Sequence, residues 1–98
     1  MARIVWTMRA ADEFAEAIEY VERQAPAAAR RLAQRMMQRI RSLRRFPQSG
    51  GFVPEDDSQR YREVIEGNYR IIYRLESDAV VVMSIYHAAR LLRSEDLP

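Results

Sequence analysis

The chain has 98 residues, 48% hydrophobic and 31% charged, with a formal net charge of +2, no cysteine and one histidine. That length makes one domain, residues 1–98, with room for a single modest core. The missing cysteines exclude disulfides, thiol nucleophiles and Cys-based metal sites, and one histidine cannot build a zinc cluster, so neither metal nor cofactor is expected.

"ARIVW" (residues 2–6) is rich in strand formers and reads as a first strand. Phe14, Ala17, Ile18 and Val21 then recur at helical spacing, predicting a helix over 9–24 with Thr7 placed to cap it. "QAP" breaks the period, and Pro26 suits the first position of a second helix over 26–45. Its stripe is Ala29, Leu32, Met36, Ile40 and Leu43. So short a link predicts an antiparallel helical hairpin. Residues 46–59, with two prolines and two glycines, read as a loop. "RYREVI", "NYRIIYRL" and "AVVVMSIYH" are three strand-like runs joined by short links, an antiparallel meander. The tail after His87 has room for one helical turn. The fold class is therefore α+β, in the order β-α-α-β-β-β, with a helical hairpin on one face of a small antiparallel sheet.

All sixteen basic residues are arginine. Acids crowd the first helix (Asp12, Glu13, Glu16, Glu19, Glu22), whereas Arg30 to Arg45 contains seven arginines and no acid. The domain thus has an acidic and a basic side. No run is apolar enough to cross a bilayer and no signal-like start is present, so a cytoplasmic protein with no membrane partner is expected.

Alternation along the middle strand puts Tyr69, Ile71, Tyr73 and Leu75 toward the helices and Arg70, Ile72 and Arg74 on the other face, expected to be open. A two-residue turn at Ser77–Asp78 would set Arg74 opposite Val81, Ile72 opposite Met83 and Arg70 opposite Ile85. His87 would then share Arg70's face, and a one-residue slip would remove it. Arg60 and Arg62 alternate together two strands back. Arginines beside a histidine suit phosphate binding and proton transfer, as RNA cleavage requires, with Glu55 or Glu63 as a carboxylate base. The same arginines equally suit a face that is merely solubilised, or one that docks an acidic partner. No aromatic stacking stripe favours single-strand RNA binding without chemistry.

"FPQSGGFVPE", "RYREVIEGNYRIIYRL" and the "HAAR" ending resemble the RelE/ParE superfamily, the toxin halves of bacterial type II toxin–antitoxin pairs. The resemblance spans nearly the whole chain and implies a helical hairpin on a sheet whose first strand enters beside the last. It also implies a cognate antitoxin, with an acidic amphipathic segment docking on the basic helix or the arginine face. Two activities occur in the superfamily: cleavage of ribosome-bound mRNA without metal, and inhibition of DNA gyrase.

For cleavage, the resemblance implies catalytic Glu55 (base), Arg70 (phosphate grip) and His87 (acid), with Arg60, Arg62, Arg74 and Arg90 binding substrate. Ala88 departs from that branch, which has an aromatic after the histidine, and no lysine is present. With all three positions filled, the expectation leans to an endoribonuclease, with a ParE-like gyrase inhibitor as the alternative. A non-toxic antitoxin-binding module is the third reading.

Overall fold

The computed structural model describes residues 1–98. The elements are β1 (Arg3–Trp6), α1 (Met8–Glu22), α2 (Pro26–Ser42), β2 (Gly51–Phe52), β3 (Arg62–Glu66), β4 (Tyr69–Glu76) and β5 (Ala79–His87), then a 3-10 turn at Ser94–Asp96. The strands form one sheet in the order β1-β5-β4-β3-β2. The meander is antiparallel as expected, and β1 joins β5 in parallel, so the sheet is mixed.

Local chemistry explains the helix boundaries. The Thr7 Oγ1 accepts the Ala10 N–H at 3.0 Å and donates to the Val82 carbonyl at 3.2 Å, tying the start of α1 to β5. Pro26 opens α2, and Arg39 and Arg41 in its last turn suit the negative helix end. The α2 stripe is buried: Met36 and Leu43 have no exposed surface, and Ile40 has 1%. It packs with Ala10, Ala17, Val64, Ile71, Tyr73 and Val82 into the main core. A Leu or Ile truncated there costs about 2–5 kcal/mol.

The loop before the meander is tied to the sheet from behind. The Tyr73 hydroxyl donates to the Pro47 carbonyl at 2.7 Å and accepts the Gly50 N–H at 3.0 Å. A Cβ at Gly50 would lie 2.6 Å from that hydroxyl and 2.5 Å from the Glu63 carbonyl, so only glycine fits. This cinch allows Gly51–Phe52 to pair with β3, a short edge strand within the stretch expected to be loop.

Two expectations about the other face need correction. It is not open: Val53, Tyr61 and Leu92, from the loop and the tail, cover Ile72, Val81, Met83 and Tyr86 as a second small core. Tyr61 is buried in this core and not under the helices. The register is also different. The turn and the Arg74–Val81 pair are as predicted, but Ile72 faces Ser84 and Arg70 faces Tyr86. A β-bulge leaves Met83 without an opposite residue, and Ile85, Tyr86 and His87 change face.

Candidate functional site

The bulge separates the residues expected to meet. His87 pairs with Tyr69 on the helix side of the sheet, and the two rings stack edge-on at 5.1 Å and 78°. Arg70 lies on the opposite face, beneath the loop. The expectation that His87 stands beside Arg70 is thus corrected, because one extra residue in β5 reverses the alternation.

Glu55 and Arg70 do meet. Arg70 is 8% exposed, and its Nη1 and Nη2 donate to the two Glu55 oxygens at 2.9 and 2.7 Å. Its Nε donates to Glu63 Oε1 at 2.6 Å. β4 presents Arg70, β3 presents Glu63 and the loop brings Glu55, so one guanidinium bridges three segments. The bidentate hydrogen bond from Arg70 holds the Glu55 carboxyl below the ordinary value of 4.5. The Arg70 pKa is pushed still higher, first by Glu55. Both Glu55 oxygens are occupied and the carboxylate is a weakened base, while Arg70 has its fork filled. Chemically this is a latch that holds the loop on the sheet.

Arg60, Arg62 and Arg74 gather elsewhere, in a recess of about 480 Å³ with Phe52 and Glu76. Each is engaged. Arg62 lies over the Phe52 ring at 4.2 Å and donates to the Gly50 carbonyl at 2.7 Å. Arg74 pairs with Glu76, and the Arg60 Nε donates to Ser58 Oγ at 3.3 Å. Arg90 stands apart from all three. It lies over the Tyr86 ring at 4.8 Å and shares with His87 a second recess, of about 410 Å³, beside α1. The seven candidate residues therefore occupy three places.

Glu13 belongs to that second recess and was missed in the sequence reading. Its Oε1 accepts from Ser84 Oγ at 2.7 Å and from the Ile85 N–H at 3.2 Å, satisfying groups beside the bulge. The available signal was Ser84, the one polar residue within "AVVVMSIY".

No group of three or more His, Cys, Asp or Glu residues is arranged to hold a metal. The family model for the ParE toxin of the type II toxin–antitoxin system parDE matches residues 4–92. The chain belongs to the ParE toxin family. An antitoxin partner follows from that membership. A similar fold occurs in a solved structure of a chromosomal ParDE toxin–antitoxin system from P. aeruginosa, with a TM-score of 0.74 and 16% identity. That match covers 89% of this ParE-family chain and 96% of the other. No curated protein matches.

Proposed function

We propose that this ParE-family toxin inhibits growth by binding DNA gyrase and does not cut mRNA. The observation that carries the reading is the bulge at Met83. It puts the only imidazole on one face of the sheet and the phosphate-gripping candidate Arg70 on the other. General acid catalysis needs the donor within hydrogen-bond reach of the leaving oxygen while the phosphate is held. A latch that fills the Arg70 fork and occupies both Glu55 oxygens argues the same way. Ala88, standing where the cleaving branch carries an aromatic, adds a departure in sequence.

The antitoxin's acidic amphipathic segment docks on the basic side. There Arg3, Arg41 and Arg44 flank Ile4, Trp6 and Ile40 in a groove between β1 and α2. β1 is an edge strand, able to accept a further strand beside that groove. The site of action is the cytoplasm, where both partners would be met; no helix is long and apolar enough to cross a membrane. The test is plasmid supercoiling by purified gyrase. Added toxin is expected to stop it, and an equimolar antitoxin to restore it. Full supercoiling at excess toxin would refute the reading.

A further inference from the structure

The outer face of α2 carries a charge that neither the latch nor the β1–α2 groove accounts for. Arg30, Gln34, Gln38 and Arg41 recur at i, i+4, i+8 and i+11, which sets them opposite the buried Leu32, Met36 and Ile40. Arg31 lies beside them, and Arg45 follows in the turn past the helix end. All of these side chains are exposed, and none of the four arginines takes part in an ion pair. At the rim, Glu66 is already held by Arg35 at 3.1 Å. No acid occurs between Arg23 and Pro54, so the helix supplies no counter-charge of its own. Large exposed hydrophobic side chains stand elsewhere on the molecule, none of them on α2, and Phe46 lies beyond its end.

We infer that this face binds the phosphate backbone of duplex DNA without reading its sequence. Unpaired charge selects an anion, and guanidinium forks suit phosphate oxygens. The chemistry of the face then selects DNA among anions. An acidic protein segment needs apolar or aromatic anchors where it docks; Ile4 and Trp6 provide them in the β1–α2 groove, and this face exposes none. The same lack of rings removes the stacking platform that single strands use. From Arg30 to Arg41 the row runs about 16 Å along the helix. The wide major groove of B-form DNA admits a helix, whereas the narrow major groove of duplex RNA does not. Arg41 also borders the β1–α2 groove, so DNA and antitoxin meet at that residue. The inference does not depend on gyrase being the target.

The test uses the full chain, free of antitoxin, and a short fluorescent DNA duplex of mixed sequence, followed by anisotropy. Affinity should fall about a hundredfold between roughly 50 and 200 mM salt, as about four phosphate contacts require. Arg30→Gln and Arg31→Gln, at exposed positions safe for folding, should each weaken binding about tenfold at the lower salt. Each should also reduce the salt slope by about one. Arg74→Gln makes the same charge change in the pair with Glu76 and should leave binding unchanged. Unlabelled RNA duplex and a polyglutamate peptide should compete more weakly than unlabelled DNA. No binding at the lower salt, binding indifferent to salt, an equal loss for Arg74→Gln, or stronger competition by the RNA or the peptide would overturn the inference.

Discussion

The two faces of the sheet are built to different standards. The helix face is sealed by α1 and α2, with Met36, Leu43, Ile71, Tyr73 and Val82 fully buried against one another. The other face is covered by a loop and a tail, held by Val53, Tyr61 and Leu92 and by the Arg70 latch. Even its packing is less complete, since the Tyr61 hydroxyl is buried without a hydrogen-bond partner. The first face owes its order to periodic apolar burial, the second to a small apolar cover from aperiodic segments and one charged clamp. That difference locates function: an arginine spent on holding a loop is a poor candidate for holding a phosphate.

Substitutions on the two faces should therefore differ in size and kind. Leu43→Ala, in the helix-face core, should lower unfolding free energy by about 4 kcal/mol in urea titrations. Arg70→Ala leaves two carboxylates facing each other and should cost about 3 kcal/mol. That is the low end for a broken buried pair, because the Glu55 side chain is 34% exposed. If Arg70 were instead a free substrate grip, its loss would leave stability unchanged and remove only activity. Glu13→Ala uncaps the bulge and should cost about 1–2 kcal/mol, with faster amide exchange at Ile85.

Smaller effects sharpen the comparison further. The Arg70 hydrogen bond lowers the folded-state pKa of Glu55, so its stabilising contribution is complete above the unfolded carboxyl value. It is lost as pH falls through the lowered folded value. Glu55→Gln should lower stability in the neutral range, leave it little changed in acid, and so flatten that limb of the stability curve. Finally, Arg70→Ala and His87→Ala should combine additively in stability, within about 0.5 kcal/mol, as residues on opposite faces do. A coupling well above that would mean that the two side chains communicate.

Much of this fold is legible in the sequence because it rests on period and caps. Thr7, Pro26 and the Ala29–Leu43 stripe place the helices to within a few residues. The Ser77–Asp78 turn sets the register at the start of β5 correctly. What the sequence hides is the extra residue at Met83. An apolar run such as "AVVVM" reads the same with or without a bulge, and only Ser84, which binds Glu13 from α1, marks the irregularity. The covering of the arginine face is hidden for a related reason. Val53 and Leu92 lie in segments without periodicity, so nothing local indicates that they pack on Ile72 and Tyr86. The candidate site fared as the register did. Glu55 and Arg70 do meet, while His87 was lost to the other face by one residue.

The most direct test is a translation reaction programmed with purified mRNA and free of DNA, with and without the toxin. Gyrase has no part in it. The separation of His87 from Arg70 predicts intact mRNA and a normal protein yield at every toxin concentration. Shortened mRNA with ends inside ribosome-bound codons, abolished by either Arg70→Ala or His87→Ala, would contradict the account. It would mean that the two faces of the sheet act together after all.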